Sequence, residues 1–257
     1  MTALRSQGTA LPESRRRRVS RALQEQRRRW AVVRFSLLST VLLLSLGLVM
    51  IVAPLVESRV LFLLAITAPL LIGVYVVSDS PLFAAIWGSA TVLTVLLGVF
   101  ALVRADRTLL IGELGIRCVL LLALIAWIVR EMLREERVSL DTILGGICIY
   151  LLIGYSYAFV YLMLLLADPH ALVAGDQTLD VSLTPDHPFR TVPSLFYFSF
   201  TAFTTMGFGD IVPLSAAARY ATITEGMVGQ LYPAIFIARL VSLSLLDRAG
   251  PPGGGAG

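Results

Sequence analysis

Long apolar runs separated by short polar stretches make up most of this chain of 257 residues. Six of the runs reach or approach the length of about 20 residues that an α-helix needs to cross a bilayer. The six runs are Ala31–Pro54, Val60–Val77, Leu82–Val103, Leu114–Val129, Thr142–Leu166 and Ala216–Leu246. The pattern therefore predicts an all-α membrane protein with six transmembrane helices.

A shorter apolar segment, Pro193–Thr205, lies between the last two of these runs. It is too short to cross a bilayer, and turn-forming residues flank it on both sides. Non-spanning backbone is tolerated at membrane depth only where protein or water surrounds it. We therefore expect a re-entrant half-helix whose C-terminal end directs partial negative charge toward a cavity.

Composition and charge agree with a membrane protein. Hydrophobic residues make up 57% of the chain and the mean hydropathy is +0.82, which excludes an ordinary soluble domain. All 21 basic residues are Arg, and many of them precede the first apolar run, at Arg15–Arg18, Arg21 and Arg27–Arg29. Such a cluster favours the cytoplasmic side of a membrane, so we interpret it as an orientation signal and not as a nucleic-acid-binding surface.

The orientation of the rest follows from counting spans. Arg130, Arg134 and Arg137 lie between the fourth and fifth runs, which places that loop in the cytoplasm together with the N-terminus. The loop after the half-helix then lies at the outer face. We predict a multi-pass protein of the cell membrane with both termini in the cytoplasm. Residues 1–29 form either a solvated tail or a basic surface helix on anionic lipid.

The loop after the half-helix carries the most specific motif. Residues Thr205–Asp210 have the sequence T-M-G-F-G-D, which resembles the selectivity filter of tetrameric potassium channels. In such a filter, stacked backbone carbonyls from four chains replace the water around the ion. Gly207 and Gly209 permit the positive φ angles that let successive carbonyls point inward.

The resemblance implies a role for each residue of the motif, with potassium as the permeant ion. The ion-binding residues would be Thr205, Met206, Gly207, Phe208 and Gly209, with ions at the carbonyls of the first four. Thr204, Asp210 and Glu225 would support the filter. The side chains of Met206 and Phe208 would pack against the half-helix. Met206 replaces the family's usual Val or Ile with a less rigid side chain, which bears on conductance and inactivation more than on selectivity.

Aromatic residues crowd the half-helix. They are Phe196, Tyr197, Phe198, Phe200 and Phe203. Potassium channels have an aromatic cuff around the filter at this place, and ordinary core or lipid-facing packing is the alternative. We expect these rings to give mechanical support.

The last apolar run resembles the inner helix of small bacterial potassium channels. Gly226, Gly229 and Pro233 predict a bend that would act as a gating hinge, although glycines serve equally well for close helix packing. Arg219 and Arg239 are twenty residues apart, about 30 Å along a helix, so we expect one at each membrane interface.

Glu225 is the one carboxylate well inside this run, and such a group must face protein or water. We expect it to bond hydroxyls or backbone behind the filter; control of gating is the alternative.

The first four runs lack the regular arginine series of a voltage sensor. The fourth run has Arg117 and next Arg130, whereas a sensor has a basic residue at every third position. We therefore expect a scaffold, or a sensing module of another kind, and weak voltage dependence. Glu113 stands four residues before Arg117, which predicts a helical ion pair at the interface.

These observations divide the chain into four parts. Residues 1–29 are a basic cytoplasmic tail, 30–137 a four-helix transmembrane module, 138–246 a potassium-channel pore domain, and 247–257 a short disordered tail. The outer loop Ala167–Val192 carries Asp168, Asp176, Asp180 and Asp186 against Arg190 alone. It forms either an acidic vestibule that concentrates cations or an ordinary solvated loop.

The sequence thus predicts passive, potassium-selective conduction by a homotetramer, since one chain supplies one quarter of the filter. A poorly selective monovalent cation channel is the alternative. A potassium transporter of related ancestry would need four pore segments per chain, and only one is present. An enzyme would need a cluster of reactive groups, which isolated Glu225 does not provide.

We assign no catalytic residue, cofactor or further metal centre. Cys118 and Cys148 lie within apolar runs as free thiols, and His170 and His187 lack metal-ligand spacing.

Overall fold

The computed structural model describes residues 35–52, 59–76, 81–134, 138–175, 177–179, 181 and 191–249. Several predictions concern parts of the chain outside these ranges. They are those for the tail of residues 1–29, for Asp176, Asp180, Asp186, His187 and Arg190 of the outer loop, and for residues 250–257.

Within the described ranges the chain is mostly helical. The first helix, α1, covers residues 35–47 and continues into a π-helical turn, Leu48–Val52. The other helices are α2 (Arg59–Val76), α3 (Pro81–Arg104), α4 (Arg107–Arg134), α5 (Leu140–Ala167), α6 (Val192–Phe203) and α7 (Ala216–Ala249). Three short strands complete the fold: β1 (Leu172–Ala174), β2 (Gln177–Thr178) and β3 (Ile211–Pro213).

Four of the described helices are long and apolar enough to cross a membrane. They are Ala84–Arg104, Arg107–Arg134, Leu140–Ala167 and Ala216–Leu245. Shorter apolar helices occupy Phe35–Ile51, Ile66–Tyr75 and Val192–Phe203. The helical class of the predicted fold is therefore confirmed, while the arrangement with six spans stays a prediction.

Two of the long helices begin at side-chain caps that the sequence supplies. The carboxylate of Asp106 accepts hydrogen bonds from the backbone N–H groups of Thr108 and Leu109, at 2.9 and 3.2 Å, where α4 starts. Ser139 and Thr142 form a reciprocal capping box at the start of α5. Both arrangements satisfy N–H groups that the first helical turn leaves without a partner.

The predicted fourth span was too short. It was expected over Leu114–Val129, whereas α4 runs over 28 residues from Arg107 to Arg134. The predicted span contained Arg117 but began just after the charged Glu113, and these two side chains pair with one another inside the helix. Because the pair neutralises itself, the helix continues through it.

Helix α5 lies at the centre of the described fold. It contacts α4, α6 and α7, and 67% of the residues in its apolar stretch are buried. In contrast, only 6% of the residues in the apolar stretch of α7 are buried. The last helix also runs past its predicted end at Leu246 to Ala249.

A three-stranded antiparallel sheet stands beside the loop that follows α6. Its strand order is β2-β1-β3, with Val173 opposite both Thr178 and Val212. The sequence analysis did not predict these strands in the outer loop. They are only two or three residues long, so alternation of polar and apolar residues gives almost no signal.

Candidate functional site

Ring contacts anchor α6 to α5. Phe196 meets Tyr155 and Phe159 edge to face, with centroids 5.0 and 5.7 Å apart. Phe198 meets Tyr161 at 4.9 Å in the same way. Edge-to-face pairs at these distances are favourable beyond the area that they bury. The aromatic residues of α6 thus fix its position against the central helix.

The C-terminal end of α6 holds the start of the Thr204–Asp210 loop through backbone hydrogen bonds. The N–H of Met206 donates to the carbonyl of Thr201 at 2.9 Å, and the N–H of Gly207 donates to the same carbonyl at 3.2 Å. The N–H of Thr205 donates to Ala202 at 3.0 Å. These bonds satisfy carbonyls of the last helical turn and use the N–H groups of Thr205, Met206 and Gly207, so these three N–H groups do not bond to carbonyls of the loop itself.

The backbone of this loop alternates in handedness. φ is +60° at Thr205, +51° at Gly207 and +79° at Gly209, while the residues between them lack positive φ. Alternation of this kind turns successive peptide planes the same way and aligns their dipoles along one side of the chain. Glycine adopts these angles without strain, but a β-branched residue such as Thr205 does so at a cost.

The two apolar side chains of the motif behave differently. The ring of Phe208 stacks parallel to that of Tyr197 of α6, with centroids 6.3 Å apart and an interplanar angle of 5°. Met206 and Phe208 are 67% and 68% exposed in the single chain, and the expectation that Met206 packs against the half-helix stays a prediction.

The C-terminal end of the loop is held at Asp210. Its carboxylate accepts a hydrogen bond from the hydroxyl of Tyr197. Its backbone carbonyl accepts another from the N–H of Gly175, at 3.2 Å. The strand that follows, β3, pairs with β1. The small sheet and α6 therefore fix this end of the loop from two sides.

The N-terminal end of the loop is held by a residue that sequence reasoning missed. The side-chain amide of Gln230 on α7 donates to the hydroxyl oxygen of Thr205 at 2.8 Å. Gln230 is the polar residue in the otherwise apolar run Met227–Tyr232, and that contrast was the available signal. The hydroxyl of Thr205 in turn donates to the carbonyl of Thr204 at 2.7 Å.

Glu225 lies behind α6 and is fully buried. The hydroxyl of Tyr161 on α5 lies 2.5 Å from Oε2 of its carboxyl group, and the hydroxyl of Ser199 on α6 lies 2.6 Å from Oε1. The sequence analysis expected Glu225 to bond hydroxyls but did not identify these partners. The carboxyl group joins α5, α6 and α7 at one point.

Gly229 lets α7 cross the end of α6 closely. A Cβ atom at this position would lie 1.9 Å from the backbone carbonyl oxygen of Phe203, whereas at Gly226 the nearest atom would be 3.7 Å away. Pro233 lies inside a helix that extends without interruption from Ala216 to Ala249. Close packing thus accounts for Gly229, and the hinge at Gly226, Gly229 and Pro233 stays a prediction.

Two of the arginines of α7 bond backbone carbonyls of other segments. Arg219 donates from Nε to Pro213 at 3.3 Å, beside the loop. Arg239 donates from Nη2 to Met132 near the C-terminal end of α4, at 2.7 Å. A cation at this end of α4 also faces the negative end of the helix dipole.

A second buried carboxylate lies in the N-terminal module, where it was expected at an interface. Glu113 accepts hydrogen bonds from the guanidinium group of Arg117, and each of the two residues is 2% exposed. Arg117 also donates to the carbonyl of Ile66 at 3.2 Å and lies 5.5 Å from the centroid of the Phe159 ring. The pair belongs to the interior of the helical packing because α4 extends beyond it on both sides.

The long apolar helices and the loop held at the end of α6 define a helical membrane protein with a specialised backbone site. Residues 149–244 match the Ion_trans_2 family model, described as an ion channel. This range contains most of α5, all of α6 and the loop, and nearly all of α7. The chain thus carries an ion-channel domain and is a channel rather than an enzyme. No curated protein and no solved structure matches the chain.

Proposed function

We propose that the protein is a potassium-selective channel that conducts passively through a homotetrameric pore. The observation that carries this proposal is the Thr205–Asp210 loop, with its T-M-G-F-G-D sequence and positive φ at alternate residues. Carbonyls that share one side of a chain can replace the water around a dehydrated cation when several chains converge on one axis. One chain has one such loop, so a complete cage needs four copies.

The surface of α7 supports assembly. Ile223, Met227, Leu231 and Ile235 recur at every fourth position, and each is more than half exposed in the single chain. Side chains with this spacing form a stripe on one face of a helix. A continuous apolar stripe in a channel domain suits contact with neighbouring subunits or the wall of a pore, and part of it would face lipid.

The filter residues would then have the roles that the motif implies. The carbonyls of Thr205, Met206, Gly207 and Phe208 would bind potassium ions as the conducted species. Asp210, held by Tyr197 and by the small sheet, would keep the outer mouth in place. Six spans with α6 as a re-entrant helix would place this mouth outside the cell membrane and both termini in the cytoplasm.

Reconstitution in planar bilayers with ion substitution tests the proposal. In mixed potassium and sodium solutions, we expect the reversal potential to follow the potassium gradient. A reversal potential that does not change when sodium replaces potassium would contradict selectivity and favour a poorly selective cation channel. The mass of the assembly under native conditions tests the tetramer separately.

The variant Gly207→Ala gives this test a second arm. The added Cβ has open space, but an L-residue is strained at φ of +51°. We therefore expect the variant to assemble and to lose selectivity or current. Gly112→Ala is the matched control, since open space also surrounds a Cβ there and no positive φ is required.

A further inference from the structure

We propose that Glu225 keeps its proton while the channel conducts, and that this neutral carboxylic acid positions α6 and hence the loop Thr204–Asp210, the filter loop. The inference rests on the proposed function for its effect on conduction. Its structural basis does not depend on the proposed function, because the protonation state is inferred from the hydroxyl groups around the carboxyl group of Glu225. Glu225 touches no atom of the filter in the contacts described above, so it acts as a positioning residue.

The surroundings of Glu225 provide hydroxyl groups and no cation. In the described part of the chain, Glu225 takes part in no ion pair. Helix α6 contains no charged residue, and Asp141, close to the N-terminal end, is the charged residue of α5. An isolated carboxylate in such a place is far more costly than a neutral carboxylic acid that is fully hydrogen-bonded.

The titratable side chains of the neighbouring helices that face Glu225 are tyrosines. Tyr161 and Tyr157 face this region from α5, and the hydroxyl of Tyr157 bonds the hydroxyl of Thr224 at 3.3 Å. Tyr197 of α6 bonds Asp210 instead. On α7 itself, Arg219 is exposed and bonds the carbonyl of Pro213. None of these supplies a positive charge to the carboxyl group.

The hydroxyl of Ser199 indicates where the proton lies. Its oxygen is 2.6 Å from Oε1 of Glu225 and 2.9 Å from the backbone carbonyl oxygen of Gly154. A serine hydroxyl has one proton to donate, yet both neighbours are acceptors if Glu225 is ionised. Both contacts become hydrogen bonds only when Glu225 donates its own proton to Ser199 and Ser199 donates to Gly154.

The other carboxyl oxygen fits the same arrangement. The hydroxyl of Tyr161 lies 2.5 Å from Oε2 of Glu225 and 3.2 Å from the hydroxyl oxygen of Thr222. Tyr161 can donate to Oε2, while the hydroxyl of Thr222 donates to the backbone carbonyl of Ala218 at 2.9 Å. The protonated cluster therefore forms a directed chain of hydrogen bonds that begins on α7, passes through Ser199 of α6 and ends on the backbone of α5.

Loss of the proton would weaken the hold on α6. Ser199 would then have to donate to the carboxylate, and its bond to Gly154 would be lost. Ser199 lies two residues before Thr201, whose carbonyl accepts the N–H groups of Met206 and Gly207. Movement of α6 at Ser199 therefore shifts the attachment point of the filter loop. The carboxylate would also remain without a positive partner.

Infrared spectroscopy of the full chain in lipid vesicles tests the proton directly. We expect the carbonyl stretch of a protonated carboxylic acid at neutral pH and its disappearance in Glu225→Gln. Glu131→Gln is the matched control, because Glu131 is 42% exposed on α4 and lies 3.6 Å from Arg134. Absence of the acid band from the wild type, or its persistence in Glu225→Gln, overturns the proposal.

Potassium flux from the same vesicles tests the positioning role. Glutamine can replace a protonated carboxyl group as a hydrogen-bond donor, so Glu225→Gln should assemble and conduct at neutral pH. As pH rises, the wild type should lose current over the range in which the acid band disappears, and Glu225→Gln should not. Ser199→Ala, which removes the link to Gly154, should lower current several-fold at neutral pH.

Three flux results would overturn the positioning role. They are loss of current in assembled Glu225→Gln, the same alkaline response in both proteins, and a wild-type current that persists after the acid band has gone. If the wild type conducts no potassium at all, the proposed function fails, while the infrared spectra still decide the protonation state.

Discussion

The N-terminal module and the ion-channel domain each bury one glutamate among helices, and they accommodate it by different means. Glu113 of α4 is paired with Arg117 four residues later in the same helix. In the described part of the chain, the hydrogen-bond partners of the Glu225 carboxyl group are hydroxyl groups of α5 and α6. The residue type is the same and both side chains are almost fully buried.

The ion pair of Glu113 forms within one helix, whereas the hydrogen bonds of Glu225 depend on tertiary packing. An ion pair at positions i and i+4 forms as soon as its helix forms, so α4 brings a neutral pair into the module. The cluster at Glu225 exists only after three helices have assembled. The module can thus serve as a scaffold, whereas the hydrogen bonds of the Glu225 carboxyl group depend on the packing of α6 beside the filter loop.

The largest effect is expected from removing one member of the ion pair between Glu113 and Arg117. Arg117→Met leaves Glu113 buried without its partner, and removal of one member of a buried pair typically costs about 3–5 kcal/mol. We expect a loss of this size in denaturant unfolding of the purified protein in detergent. The double variant Glu113→Gln/Arg117→Met should recover most of it, because no unpaired charge remains.

Arg104→Met is the matched control for this comparison. Arg104 is exposed at the end of α3, where it lies 5.0 Å from the centroid of the Phe100 ring. An exposed contact of this kind is worth about 0.5–1 kcal/mol. Equal losses from Arg104→Met and Arg117→Met would show that the buried pair has no special role.

A smaller loss is expected from crowding α7 against α6. In Gly229→Ala, the new methyl group would overlap the carbonyl oxygen of Phe203, because the Cβ position is 1.9 Å from it. Overpacking typically costs about 1–3 kcal/mol, and the backbone that must yield here adjoins the filter loop. We therefore expect lower stability and loss of most potassium current.

Gly226→Ala is its control, since the nearest atom to the added group is 3.7 Å away. Thermal unfolding and flux should be close to those of the wild type. If Gly226→Ala instead impairs current as strongly as Gly229→Ala while stability is kept, the hinge would explain these glycines better than close packing.

A still smaller effect is expected at the N-terminal end of the filter loop. Gln230→Leu removes the hydrogen bond to Thr205, and one such bond contributes about 0.5–1.5 kcal/mol. Thr205 should then orient its hydroxyl less strictly, so we expect a reduced preference for potassium over sodium in reversal potentials. Ser244→Ala on the same helix removes a hydroxyl that bonds Val241, and it should leave the preference unchanged.

Much of the architecture could be predicted because its signals are local. Apolar runs gave the helices, and the short run before the motif gave α6 nearly to the residue, as Val192–Phe203 against the predicted Pro193–Thr205. The motif indicated the channel family, which the match over residues 149–244 confirms. Each of these features depends on residues that are close together in the chain.

The parts that could not be predicted depend on distant residues. Tyr161 and Ser199 lie 64 and 26 positions from Glu225, and nothing in their local sequence marks them as its partners. The same holds for Gln230 and Thr205, which are 25 positions apart. The error at the start of α4 had another cause, since the predicted span began after the charged Glu113 although Glu113 forms a neutral pair with Arg117 inside the helix.

The smallest effect is expected from the membrane potential. One elementary charge that crosses the membrane contributes about 2.3 kcal/mol per 100 mV, and steep gating needs several such charges in each subunit. Arg117 is bonded to Glu113, so movement of the pair would carry no net charge through the field. We therefore expect a shallow conductance–voltage relation that is the same in the wild type and in Glu113→Gln/Arg117→Met. Recordings from reconstituted protein that show a steep relation, or one that becomes shallower in the double variant, would make α4 a voltage sensor and contradict its role as a scaffold.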